Sequence, residues 1–527
     1  MNFTFPYPSQ RMPVMAKNIV STSQPLAAQA GLRMLLKGGN AVDAALAAAI
    51  TLTVVEPTSN GIGSDAFAIL WDGKQLRGLN ASGRSPAALT PERFKGKKSV
   101  PLRGWDAVTV PGCVSAWVEL SQKFGKLDFE TLFEPAIGYA RDGYLVSPIT
   151  ARAWSFAPQT FAEFDAFKAG FLPGGHAPKA GEVFKFPDQA KTLELIASSK
   201  GEAYYRGSLA EAIAADAKKH GGLMTEEDLA NHKADWVGTI SKAYGDIELH
   251  EIPPNGQGLA ALLMLGILKH HDIEQYELDS ANSLHVQLEA MKLALADIYR
   301  YVSDPATMDI SVDELLSDDY LAERAKLIDM TKAQDPKHGV PERGGTVYLT
   351  AADENGMMVS FIQSNYYGFG SGIVVPGTGI SMQNRGAGFV LDEGHPNEVG
   401  PAKRPFHTII PAFVTQKGQP LMSYGVMGGP MQAQGHAQMV IRMFNYDQNP
   451  QTASDAPRWR IMEGFEVAIE SGFKDEVLND LTSRGHVLHK AELGTDFSFG
   501  GAQLIYKAEG GYIAGSDHRK DGHAVGY

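Results

Sequence analysis

One cysteine, Cys113, is all that the 527 residues contain. No intrachain disulfide can form, and a lone thiol of this kind reads as a small buried hydrophobe. A positive excess is also missing: 47 Lys and Arg face 60 Asp and Glu, a net charge of −13. Nothing domain-wide is left to neutralise phosphates, which argues against a nucleic-acid partner. Long apolar runs are absent. The longest, residues 44–55, stops well short of the roughly 20 residues a membrane-spanning helix needs, and it includes Thr51 and Thr53. The N-terminal stretch carries Pro6 and Pro8 and no charged-then-apolar pattern, so it does not read as a secretory leader. These absences set the expectation of a soluble, cytoplasmic protein with no membrane partner. No internal repeat, low-complexity tract, G-x-S-x-G elbow or P-loop occurs.

What is present is ordinary globular material, 44% apolar and 20% charged. A prior of about 150 residues per domain allows three or four domains, or one large layered fold. The 56 glycines fall in short groups that suggest tight turns near a site. Spacing predicts helices at 25–38, 41–55, 131–142, 208–219, 283–301, 432–444 and 473–483. The second is apolar all round, hence buried, with Asn40 at its N-cap. Strands are expected at 66–71 and 75–79 around Asp72-Gly73, then at 346–352 and 357–364 around a turn at 353–356. Others are expected at 408–414, 421–427, 503–507 and 512–514. Residues 110–300 read as mainly helical, and 332–345 as an exposed polar loop. Helices and strands mix in both halves, which favours a layered α/β core.

The run Arg343-Gly344-Gly345-Thr346-Val347-Tyr348 carries the most chemistry. Read plainly, it is a loop entering a strand. If the Gly345–Thr346 bond is cut, however, Thr346 becomes a chain terminus. It then bears a hydroxyl nucleophile and an α-amine of reference pKa near 8, which can serve as base for that hydroxyl. Gly345 permits the backbone conformation that attack on its own peptide bond requires. Gly428-Gly429 lie between a strand and a helix. They form either a plain turn or a cradle of N–H groups for a developing oxyanion.

Other chemistries fit less well. Gly61-Ile62-Gly63-Ser64-Asp65-Ala66 has loose dinucleotide-fingerprint spacing, but it follows a helix and precedes a strand, the reverse of the required order. His250-Glu251 runs into Pro253-Pro254, which excludes an H-E-x-x-H zinc helix. The adjacent His270-His271 would point apart on a helix. No metal or organic cofactor is implied.

These residues resemble the gamma-glutamyltransferase (glutathione hydrolase) family of N-terminal-nucleophile hydrolases. The match rests on Gly38-Gly39-Asn40-Ala41-Val42-Asp43, Val110-Pro111-Gly112, Pro135-Ala136-Ile137, Pro253-Pro254-Asn255-Gly256, Gly345-Thr346, Lys403-Arg404-Pro405, Gly428-Gly429 and the C-terminal Ser516-Asp517. The resemblance implies a four-layer αββα fold, made as a precursor that cleaves itself. Residues 1–345 would form the large segment and 346–527 the small one, the two staying together. It implies Thr346 as nucleophile, Ser364 as the hydroxyl that bonds the new α-amine, and Gly428 and Gly429 as the oxyanion hole. His407 and Thr408 fall where two serines hold a substrate carboxylate. The expected substrate is a small amide or peptide, γ-glutamyl amides first.

The chain departs from the family at the acyl reader. Ser82 stands at the place of the carboxylate-binding arginine, with Arg84 two residues on, either shifted into that role or on the surface. The family's Gln-x-x-Asp, which receives the glutamyl ammonium, is Arg385-Gly386-Ala387-Gly388 here. A cation repels an ammonium and pairs with a carboxylate. An amidase for another acidic acyl group, similar to cephalosporin acylases, is therefore an alternative, as is a binding protein without activity.

Overall fold

The run Gly38-Gly39-Asn40 opens the element around which the first half is built. Asn40 Oδ1 accepts from the Val42 and Asp43 N–H groups, and Asp43 Oδ2 accepts from the Asn40 N–H in return. This reciprocal cap ties off the helix start. The helix Ala41–Val55 is buried at every residue, as its uniformly apolar surface requires. The computed structural model describes residues 10–336, 345–492 and 497–527.

That helix lies on the first of two seven-stranded sheets, whose neighbouring strands all run antiparallel. From edge to edge the first sheet holds His523–Gly526, Ile19–Thr22, Gly345–Ala352, Met358–Tyr366, Asp65–Trp71, Leu76–Asn80 and Asp235–Trp236. The second holds Val14–Ala16, Gly511–Ser516, Gly501–Ala508, Gln419–Met427, Ala412–Gln416, Ile247–Glu251 and Ile240–Tyr244.

Side-chain alternation sorts each strand between two apolar layers. In Gly345–Ala352, Val347, Leu349 and Ala351 pack with helix Ala41–Val55, whereas Tyr348 and Ala352 face the second sheet. Phe67, Ile69 and Ile362 join Phe413 and Ile505 in that inter-sheet layer. On the far side, Val414, Tyr424, Val426 and Leu504 pack under helices Leu259–Leu268, Ala281–Tyr301 and Met431–Phe444. The result is the four-layer αββα sandwich expected from the resemblance. No helix among the described residues is long and apolar enough to cross a membrane.

Several expected elements shift. The 131–142 helix divides into a short 3₁₀ turn, Phe129–Phe133, and the helix Glu134–Asp142, where Pro135 suits the new helix start. The mainly helical reading of 110–300 misses the hairpin Ile240–Tyr244 and Ile247–Glu251. Lys242, Glu248 and Glu251 hide its alternation. The strand expected at 408–414 begins only at Ala412, because residues 408–410 give backbone groups to side chains of the site. The polar loop expected at 332–345 lies outside the described residues from 337 to 344, as do Arg343 and Gly344.

Both sheets interleave the two halves of the chain. Strands from before residue 345 flank strands from after it in each sheet, so neither half completes a sheet alone.

Candidate active site

Two adjacent strands bring the reactive candidates together. Gly345 lies opposite Tyr366 and Val347 opposite Gln363, so Ser364 and Asn365 both face Thr346 across a β-bulge. A bulge re-aims the side chains beside it. Thr346 Oγ1 donates to Ser364 Oγ at 3.1 Å, and Ser364 Oγ accepts the Tyr366 N–H at 2.8 Å. Thr346 is buried, on the face that also carries Tyr348 and Thr350 toward the second sheet. Gln432, in the first turn of helix Met431–Phe444, donates from Nε2 to Thr346 Oγ1 at 3.3 Å, and its Oε1 accepts the Ile410 N–H at 3.1 Å. Sequence reasoning assigned Gln432 no role. Only its place behind the Gly-Gly turn marks it.

Gly428 and Gly429 link the strand Gln419–Met427 to that helix through Pro430. Their φ angles of 131° and 62° belong to glycine. A Cβ on Gly428 would meet Gly500 Cα at 2.9 Å. Gln257 holds the turn, donating from Nε2 to the Gly429 carbonyl at 2.8 Å and the Thr408 carbonyl at 2.6 Å. A rigid glycine turn in front of a helix start is suited to hold developing negative charge.

Arg385 is fully buried in the turn Arg385–Gly388. Its Nη1 donates to Thr408 Oγ1 at 2.8 Å, and its guanidinium carbon lies 4.2 Å from the centre of the Tyr366 ring. Tyr366 itself has a φ of 79°, an uncommon conformation for a bulky residue and one that clusters at functional sites. The other edge of the guanidinium, Nε and Nη2, has no hydrogen-bond partner among the described residues. Burial pulls Arg385 down to about 10, so it stays charged at neutral pH.

His407 was expected to touch substrate. Its ring is committed elsewhere: Nδ1 accepts the Ile409 N–H at 3.4 Å, so Nε2 carries the proton and donates to Asp65 Oδ2 at 3.1 Å. Burial holds His407 well below its usual pKa, hence neutral. The ring thereby holds the Asp65 carboxyl in place. Thr408 remains at the site through Arg385. Arg84 does not join this group. Its side chain is half exposed and donates to Asp304 Oδ2 at 2.8 Å and the Ala402 carbonyl at 3.2 Å.

Asp65 is the second residue that sequence reasoning passed over. It opens the strand Asp65–Trp71 directly opposite Ser364, and it lay hidden in the glycine run weighed as a dinucleotide fingerprint. That run does follow helix Ala41–Val55 and precede a strand, so no such fingerprint exists. Desolvation pushes Asp65 up to about 7, with the Arg385 charge pulling the other way. Below that pH the carboxyl becomes neutral and leaves Arg385 without its counter-charge, which strengthens the attraction of Arg385 for an anion. KM for an acidic amide is therefore expected to fall several-fold from pH 8 to pH 6. In Asp65→Asn it should be low and flat over that range, and an unchanged pH profile would refute the coupling.

Cys113 is buried, with its thiol pushed far above the ordinary range by desolvation, so it is inert. Among the described residues, His285, Glu289 and His486 have the spacing of a metal cluster. The Lys292 amine lies 2.9 Å from Glu289 Oε1, and His285 Nδ1 lies 2.8 Å from His486 Nε2. The lysine already supplies the cation, and the cluster reads as a hydrogen-bonded core network.

Known proteins are similar to this chain over nearly its whole length. A family model described as Gamma-glutamyltranspeptidase matches residues 27–527. The glutathione hydrolase-like YwrD proenzyme of Bacillus subtilis (strain 168) is 37% identical over 531 residues, covering 97% of this chain and 100% of that protein. The oxamate amidohydrolase proenzyme of Klebsiella pneumoniae is 35% identical over 518 residues, 95% of this chain and 97% of that protein. The crystal structure of cephalosporin acylase from Bacillus halodurans superposes with a TM-score of 0.94 at 48% identity, covering 100% of this chain and 99% of that one.

Proposed function

The chain belongs to the gamma-glutamyltranspeptidase family, and from that membership we propose a self-processing amide hydrolase whose acyl donor carries a carboxylate read by Arg385. The observation that carries this reading is the buried, unpartnered Nε–Nη2 edge of Arg385. Two parallel N–H groups on one edge of a guanidinium fit a carboxylate in bidentate fashion. A γ-glutamyl group brings an ammonium on the same carbon as its carboxylate, and Arg385 repels it. The reading therefore favours an acidic acyl group without that ammonium. The similar Klebsiella protein is named for oxamate, an amide whose acyl half ends in a carboxylate.

In the proposed mechanism, cleavage before Thr346 separates segments 1–345 and 346–527 and frees the α-amine, which Ser364 holds. The amine takes the proton of the Thr346 hydroxyl as Oγ1 attacks the amide carbonyl. The N–H groups of Gly428 and Gly429 hold the oxyanion, and the proton passes to the departing amine. Water then attacks the Thr346 ester, the acid leaves, and the hydroxyl regains its proton. The test is turnover of three para-nitroanilides: glutaryl, γ-glutamyl and butyryl. The expected order puts glutaryl at least about tenfold above the other two in kcat/KM, the scale of a charge-assisted hydrogen bond. Equal glutaryl and butyryl rates, or γ-glutamyl as best substrate, would overturn the reading.

A further inference from the structure

Resting on that reading of Arg385, we propose that Arg103 forms a second anion subsite in the same pocket, taking a carboxylate on the amine half of the substrate. The preferred substrate then bears two anionic groups, one on each side of the scissile amide.

The Arg103 loop is pinned to the turn that carries Arg385. Asn384 Nδ2 donates to the Leu102 carbonyl at 2.9 Å, while Asn384 Oδ1 accepts the Tyr367 N–H at 3.1 Å. The Gly104 N–H donates to the Ser371 carbonyl at 2.9 Å. Behind Arg103, the turn Trp105–Ala107 packs against Arg385–Gly388 so closely that a Cβ on Gly386 would sit 2.9 Å from the Ala107 carbonyl oxygen. The backbone at Arg103 is thus held in fixed relation to the turn that carries Arg385.

The Arg103 side chain is oriented but not neutralised. Nη1 donates to the Gly370 carbonyl at 2.5 Å, and the guanidinium lies 4.7 Å from the centre of the Phe161 ring. Arg84, Arg93 and Arg404 each pair with an aspartate. No carboxylate of the described residues pairs with Arg103. Leaving a half-buried guanidinium without an acid is costly unless an anion arrives. The Tyr367 ring centre lies 4.3 Å from that of Tyr366, over which Arg385 sits, and Arg103 holds the Gly370 carbonyl three residues on, so one short segment, residues 366–370, links the two cations.

Reaction order separates their tasks. The acyl group stays on Thr346 as the ester while the amine departs. The group that stays belongs at the closed end, where Arg385 is fully buried. The group that leaves belongs toward solvent, where Arg103 is partly exposed. Arg103 therefore faces the departing half.

The experiment compares glutaryl para-nitroanilide with its analogue bearing a meta-carboxylate on the nitroaniline, on processed wild type, Arg103→Gln and Arg103→Lys. Wild type should favour the carboxylated anilide about tenfold through KM. In Arg103→Gln that ratio should fall to about one, and Arg103→Lys should restore part of it. A ratio unchanged in Arg103→Gln would overturn the proposal. Titration of the free carboxylated nitroaniline gives a readout that needs no turnover. Wild type should bind it more tightly than para-nitroaniline, with the difference lost in Arg103→Gln; equal binding of the two by wild type overturns the subsite. Loss of the glutaryl-over-butyryl preference in wild type instead overturns the Arg385 reading. Intact masses of the two fragments show that each variant has folded.

Discussion

Thr346→Ala is expected to run as a single chain of 56.8 kDa under denaturing conditions, where wild type gives two. Cleavage before Thr346 predicts fragments of 345 and 182 residues, about 37 and 20 kDa in proportion to the whole. The same change should lower amide turnover by at least about 10⁴-fold, the order found when a nucleophile is removed from a catalytic unit. The reason is that one oxygen serves twice. In the proposed mechanism Thr346 Oγ1, held by Ser364 and Gln432, attacks first its own preceding carbonyl and later the substrate's. Thr346→Ser keeps that oxygen and should still process. Normal fragments from Thr346→Ala would remove the nucleophile assignment altogether.

Arg385→Ala carries the second large effect. It should lower kcat/KM for the glutaryl anilide by about 10- to 100-fold, mainly through KM, and leave the butyryl anilide closer to wild type. Self-cleavage uses no substrate carboxylate and should proceed. Arg385→Lys should recover only part of the loss, since an ammonium offers no two-pronged edge. Equal loss on acidic and neutral anilides would mean that Arg385 supports the pocket without reading the substrate. Asp65 adds an internal control: with Arg385 gone, the pH dependence of KM that Asp65 imposes should vanish too.

How much could be read beforehand depended on how local the cause was. The Asn40 cap and the buried helix behind it follow from neighbouring residues, and the structure has both. Thr346, Ser364 and the two glycines could be singled out as candidates because the motifs that carry them are contiguous. Gln432 and Asp65 could not, because their partners Thr346 and His407 lie 86 and 342 residues away in the chain. The choice between Arg84 and Arg385 had the same character. Asp304, 220 residues from Arg84, holds it at the surface, and no local pattern announces that pairing. The layered fold was legible because mixed helices and strands have few ways to bury both faces of a sheet. The hairpin Ile240–Tyr244 and Ile247–Glu251 was not, since charged residues occupy its half-exposed positions.

The interleaving of both halves in each sheet changes what unfolding means once the chain is cut. The precursor folds as one molecule, by a reaction independent of concentration. Two separate fragments share the sandwich afterward, and each lacks strands that the other supplies. Refolding then becomes an encounter between two chains, slowed by dilution and exposed to loss of either one. The mature protein is thus expected to persist by the slowness of its unfolding more than by any equilibrium it can revisit. Processing, seen this way, is an irreversible step in the lifetime of the molecule as well as the birth of its nucleophile.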